Sequence, residues 1–115
     1  VTVWGSGDQV RDFIHIDDVV DAVFATMNVL KPGDVLNLGS GIGTSFKELV
    51  NLACNTLGRS AEVVCDPSKP EGVFHRVADV TRLSQFYKPT RTLGWGILEC
   101  AQWLEQTLDK ERAVV

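Results

Sequence analysis

Three cationic side chains in this sequence are suited to gripping an anion, and a glycine cluster offers a second way to do it. Arginine suits phosphate because its planar fork donates two parallel hydrogen bonds. Arg11 lies on a β-prone run just after the turn "GSGD", where a strand would hold the side chain rigidly. Arg76 follows "DPSKPEG" and can close on the same anion from the other side. Lys69, inside that loop, adds a point charge. The glycine cluster is in "DVLNLGSGIGTSFKEL", residues 34–49, where an apolar run ends in Gly39, Gly41 and Gly43 and a helix pattern follows. Strand, glycine turn and helix together can cradle a dinucleotide phosphate. The spacing here is G-x-G-x-G, so the third glycine falls one residue early for G-x-G-x-x-G. Asp66 follows the next strand, where a ribose-binding acid would sit. The same glycines also fit a purely structural role, since they accept positive φ at the exit of a strand.

The elements that must position these residues alternate between strand and helix, which predicts an α/β class. Residues 1–4 and 10–14 read as strands. Asp17 and Asp18 open a helix that runs to Leu30, with Val19, Val20, Val23, Phe24, Met27 and Leu30 as its apolar face. Residues 35–38, "VLNL", read as a strand. Residues 45–57 read as a helix opened by a Ser45–Glu48 capping box and stopped by Gly58. Phe46, Leu49, Val50, Ala53 and Leu57 make its inner stripe. "AEVVC" is a further strand, "HRVADV" is extended at its start, and "TRLSQF" is a short helix. A last helix covers residues 96–110, with Ile97, Leu98, Ala101, Leu104 and Leu108 inward, and residues 110–115 are expected to fray.

The 115 residues suffice for one domain with a modest core. Hydrophobic residues make up 44% and charged residues 23%, a globular composition. The net charge of −4 argues against a nucleic-acid partner, which wants a basic face. No apolar run is long enough to span a bilayer and no signal peptide is visible. Cys54, Cys65 and Cys100 are an odd set without metal-ligand spacing, read as buried thiols in a reducing, cytoplasmic setting. The start at Val1, inside a β-prone run, is read as the sign of a longer parent.

Two resemblances compete over these motifs. "VLNLGSGIG" resembles the first motif of S-adenosylmethionine-dependent methyltransferases, with Asn37 where that class has an acid. "VWGSGDQVRDFIHIDDVVDA", residues 3–22, resembles the late segment of extended short-chain dehydrogenase/reductases that act on nucleotide sugars. Gly5, Gly7, Arg11, Asp12, Phe13, His15 and Asp18 all fall in that pattern. "DPSKPEGVFHRVADVTRL", residues 66–83, is similar to the corresponding block of the GDP-L-fucose synthase family, and "LGWGILECAQWLEQTL" to its closing helix. This second resemblance covers nearly the whole chain, in order.

That resemblance implies a C-terminal substrate-binding portion that carries the last Rossmann strand and helix. Residues 1–44 would end the nucleotide-binding sheet region, and 45–115 would form a small α/β substrate-binding region. A nucleotide-diphosphate sugar, with about two negative charges, would meet Arg11 and Arg76. Trp4 and Lys69 would contact it as well. "LNLGSG" would then be a strand exit, with glycines serving backbone geometry. His15 would be structural at a strand-to-helix junction, Asp79 would orient a neighbour or cap a helix, and Arg82 and Arg91 would be surface charges. The family's G-x-x-G-x-x-G loop and its Y-x-x-x-K pair are absent, since Tyr87 is followed by "KPTR". The parent would therefore be an NADP(H)-dependent epimerase/reductase, while this chain would need no cofactor and have no catalysis of its own. A stand-alone binding or interaction module with this fold is the alternative. Apolar faces that normally pack on a missing sheet would lead to a homodimer or to rearranged packing.

Overall fold

The computed structural model describes residues 1–112, with side chains placed for 1–109. The elements run β1 (Thr2–Trp4), β2 (Val10–Asp12), α1 (Ile16–Thr26), β3 (Gly43–Ser45), α2 (Phe46–Thr56), β4 (Val64–Asp66), β5 (His75–Arg76), a 3-10 turn (Leu83–Gln85) and α3 (Leu93–Arg112). They form two small sheets. β1 pairs in parallel with β4, and β2 lies between antiparallel β3 and parallel β5.

Local sequence explains most of the helix ends. Ser45 Oγ accepts the Glu48 N–H at 3.2 Å and Glu48 Oε2 accepts the Ser45 N–H at 2.7 Å, so the capping box is closed. Gly58 takes φ +60° beyond the helix end, and the Arg59 N–H reaches the Cys54 carbonyl at 2.9 Å. α1 begins at Ile16, one residue before the expected acids, because His15 Nδ1 accepts the Asp17 N–H at 3.2 Å. It ends at Thr26 and loosens into turns before Leu30. α3 starts three residues earlier than the two glycines of "LGWG" suggested. Thr92 supplies the missing start signal, its Oγ1 accepting the Trp95 N–H at 3.2 Å. The fraying expected over 110–115 falls partly on 113–115, which lie outside the described residues; the helix itself continues through Arg112.

Three expectations are corrected. Residues 35–38 are extended but have no ladder partner among the described residues, so they are not a strand here. The ladder place beside β2 goes instead to β3 at Gly43–Ser45. The orientation of α1 is also reversed. Its buried residues are Asp18, Ala22 and Thr26, spaced by four, while Val20, Val23, Phe24 and Met27 face outward. On α3, Leu98, Leu104 and Leu108 are exposed, and the more covered residues are Leu93, Ile97 and Ala101.

Asp18 explains the reversal. It is fully buried and must find donors. Oδ1 accepts from the Tyr87 hydroxyl at 2.6 Å, the Thr90 N–H at 3.1 Å and Arg91 Nη1 at 2.9 Å; Oδ2 accepts the Arg91 N–H at 3.0 Å. Arg91 also reaches Asp21 at 2.9 Å, so it is an anchor within an acidic cluster rather than a free surface charge. The polar face of α1 is thereby tied to residues 87–91, and the apolar stripe is left outside. Fully buried apolar side chains are few, chiefly Val3, Ala22 and Leu83. The radius of gyration is 17.3 Å, against about 13 Å expected for a closed domain of this length. The chain is an open slab whose apolar faces lack covers.

Burial raises the Asp18 pKa, but hydrogen bonds from Tyr87, the Thr90 and Arg91 N–H groups and the Arg91 guanidinium outweigh it, leaving the group lowered to about 2. A carboxylate whose pKa falls on folding stabilises the fold above its ordinary value of about 4. That contribution should disappear as pH falls from 4 towards 2, and acid titration followed by circular dichroism checks the window. Asp18→Ala, which leaves the Tyr87 hydroxyl and the Thr90 and Arg91 N–H groups without their acceptor and deprives Arg91 of one of its carboxylates, is expected to cost about 3 kcal/mol in urea denaturation. A loss below about 0.5 kcal/mol would show that Asp18 does not anchor the helix.

Candidate functional site

β2 carries the two side chains around which the site is built. In the parallel pairing of β2 with β5, Arg11 stands directly opposite Arg76. Side chains in register on neighbouring strands share a face. Both arginines line one cleft of about 620 Å³, walled by Leu36, Asn37 and Leu38 on one side and Val77, Ala78 and Asp79 on the other.

Asp12 fastens those walls together. Its carboxylate accepts the Ser40 N–H at 2.8 Å, the Gly41 N–H at 2.9 Å and the Ala78 N–H at 3.2 Å, with the Ser40 hydroxyl as a further donor. Burial acts to raise its pKa, and these donors more than reverse that, so it lies below the usual carboxylate value. A Cβ at Gly39 would collide with the Ala78 Cβ and lie 2.7 Å from Asp12 Oδ2. Gly41 takes φ +73°. The glycine turn therefore does grip an anion, and the anion is the chain's own aspartate. The structural reading of its glycines holds, and no N–H of Ser40 or Gly41 is left for a cofactor phosphate.

Arg11 is held at several points. Nη1 donates to the Val10 carbonyl at 2.7 Å, Nη2 to the Glu71 carbonyl at 3.5 Å, and Cζ lies 5.9 Å from the centre of the Phe46 ring. Phe46 is itself set edge-on to Phe13, ring centres 6.2 Å apart. Arg76 is exposed. Among the described residues neither arginine pairs with a carboxylate. The acids in the cleft are already engaged, Asp12 as above and Asp79 by the Thr81 N–H at 2.9 Å. Two like charges facing each other across a ladder repel, and an anion between them relieves that repulsion.

The structure does not bring all the sequence candidates to this cleft. Trp4 lies on β1 in the other sheet, 57% exposed, opposite Asp66, and its carbonyl accepts from Gln9 Nε2 at 2.7 Å. Lys69 is an exposed turn residue whose N–H reaches the Asp66 carbonyl. Two contributors were missed. Phe46 reads as part of a helix stripe, and Glu71 as an ordinary loop acid; only the pairing of distant strands reveals that both touch Arg11.

The remaining polar groups serve the scaffold. His15 Nδ1 caps α1, so its proton sits on Nε2, which donates to Glu99 at 2.7 Å. Arg82 is a surface charge, as expected, and it binds Asp34 at 2.8 Å and the Val35 carbonyl at 2.7 Å. All three cysteines are free; Cys54 and Cys65 are partly covered but Cys100 is exposed, against the expectation of buried thiols. Among the described residues no cluster of His, Cys, Asp and Glu can hold a metal ion, and no helix is long and apolar enough to cross a membrane.

Comparison with known proteins places this geometry. Residues 1–39 match the NAD dependent epimerase/dehydratase family. The probable GDP-L-fucose synthase 1 of Oryza sativa subsp. japonica is 35% identical over 90% of the chain and 32% of its own length. Among solved structures, UDP-glucose 4-epimerase with UDP-glucose from Thermotoga maritima superposes with a TM-score of 0.83 at 30% identity, covering 94% of the chain and 35% of that protein. RMD from Pseudomonas aeruginosa complexed with NADPH gives 0.74 at 25% identity over 84% of the chain and 33% of its own. The chain thus spans about a third of the length of these relatives. The fold is that of a portion of an extended short-chain dehydrogenase/reductase. Residues 1–39 thus carry the pattern of the NAD-dependent epimerase/dehydratase family, and over most of its length the chain resembles the GDP-L-fucose synthases.

Proposed function

We propose that this chain binds the diphosphate of a nucleotide sugar between Arg11 and Arg76. It would be the C-terminal, substrate-side portion of an epimerase/reductase that uses NADP(H) on a GDP-4-keto-6-deoxyhexose. The observation that carries the reading is the in-register arginine pair lining one cleft, with the neighbouring acids already engaged. In the parent, residues 1–44 would close the nucleotide-binding sheet region and 45–115 would form the substrate region. Trp4 and Lys69 keep the role of outer contacts to the nucleotide sugar, away from the cleft. The cofactor glycines and the tyrosine–lysine pair are not in this sequence, so the hydride-transfer step belongs to residues outside it. The arginines bind and orient the substrate diphosphate; NADP(H), held elsewhere, would supply the hydride.

GDP titrated into the chain by calorimetry should bind, and guanosine, which lacks the phosphates, should not. Arg11→Ala and Arg76→Ala should each weaken GDP about tenfold, equivalent to about 1.4 kcal/mol. UDP alongside GDP reads the base preference. Guanosine binding as tightly as GDP, or binding of S-adenosylmethionine with neither nucleotide, would overturn the reading.

The chain alone should show no NADPH oxidation with a GDP-4-keto-6-deoxy sugar, and measured turnover would refute its assignment as a non-catalytic portion. The outward stripe Val20, Val23, Phe24 and Met27 on α1 supports a homodimer in solution. Sedimentation should give a dimer mass, and a monomer at micromolar concentration would count against it.

A further inference from the structure

The first glycine turn is also filled by a carboxylate, and this one comes from the distant loop. Glu71 Oε1 accepts the Ser6 N–H. A Cβ at Gly5 would collide with Glu71 Cγ, and Gly5 takes φ +70°, so the loop can lie on the turn only because residue 5 is glycine. The hydrogen bonds to Ser6 lower the Glu71 pKa. At its other end the same residue meets the site, since the Glu71 carbonyl accepts from Arg11 Nη2 at 3.5 Å. Gly72, at φ +69°, bends the chain directly beside that guanidinium. Glu71 thus grips the β1–β2 turn by its side chain and Arg11 by its backbone.

We propose that Glu71 is a positioning residue for diphosphate binding: its carboxylate latches the 66–74 loop to Ser6, and the latched carbonyl aims Arg11 into the cleft. The Arg11 guanidinium carbon lies 5.9 Å from the centre of the Phe46 ring, and Nη2 donates to the Glu71 carbonyl, so both residues hold the group. Without the latch Arg11 keeps its charge and loses its fixed direction, so fewer bidentate contacts form per encounter. This inference rests on the reading that Arg11 meets a diphosphate.

Calorimetry with GDP separates the two. Glu71→Ala should weaken GDP about tenfold. Glu71→Gln, whose amide oxygen still accepts the Ser6 N–H, should stay within about twofold of the unsubstituted chain. Glu71→Ala combined with Arg11→Ala should bind no more weakly than Arg11→Ala alone, because Glu71 acts through Arg11. Where Glu71→Ala fails to fold by circular dichroism, Glu71→Asp, one methylene too short for Ser6, should show a similar loss. Unchanged affinity in the alanine or aspartate variant, failure of glutamine to rescue, or full additivity with Arg11→Ala overturns the proposal while leaving the diphosphate reading intact. No GDP binding by the unsubstituted chain overturns the diphosphate reading and this proposal with it.

Discussion

A carboxylate without access to water sets the arrangement of this chain. Asp18 is met by donors from residues 87–91, about seventy positions further on, and the first helix must turn whichever face satisfies that contact. Leaving an ionised group unpaired in the interior costs far more than exposing a few aliphatic side chains. The polar face therefore goes in and the apolar stripe stays out. Asp12, six residues earlier on the same motif, does the same for the sheet, since it binds the turn at Ser40–Gly41 and the strand exit at Ala78. Asp12 thereby ties together the two walls of the arginine cleft.

The parts of the fold governed by neighbours in the chain were legible in the sequence. The Ser45–Glu48 box and the Gly58 stop involve residues within a few positions of each other, and the structure has both. The extent of α3 was misread because two glycines weaken the pattern while Thr92 supplies a cap. What the sequence hid was pairing at long range. Arg11 and Arg76 could each be named as anion-binding residues, but nothing local says that a parallel ladder sets them face to face. The acids of "RDFIHIDD" could be matched to a motif, and Asp17 and Asp18 to a helix dipole. Their partners lie up to 73 positions away, beyond any periodicity argument. Residues 35–38 have strand composition, but a strand exists only where another offers a ladder.

In a chain of net charge −4 the cleft sets two arginines beside two carboxylates. The chain's acids are not spread evenly. Asp12, Asp79 and Glu71 are held by backbone N–H groups, and Asp17, Asp18 and Asp21 gather around Arg91. Arg11 and Arg76 line the cleft with Asp12 and Asp79, and among the described residues neither arginine is paired with a carboxylate, so their N–H groups remain the donors there. Two glycine turns that look like phosphate cradles are already closed by internal carboxylates.

The unladdered stretch at residues 35–38 has a further consequence. An extended segment with apolar side chains and free backbone groups is a template on which another chain can add a strand, the usual start of edge-to-edge aggregation. Here the hazard is fenced. Lys31, Pro32 and Asp34 precede the stretch, and Arg82 caps the Val35 carbonyl while pairing with Asp34. A charged clasp and a proline thus act as gatekeepers for this stretch.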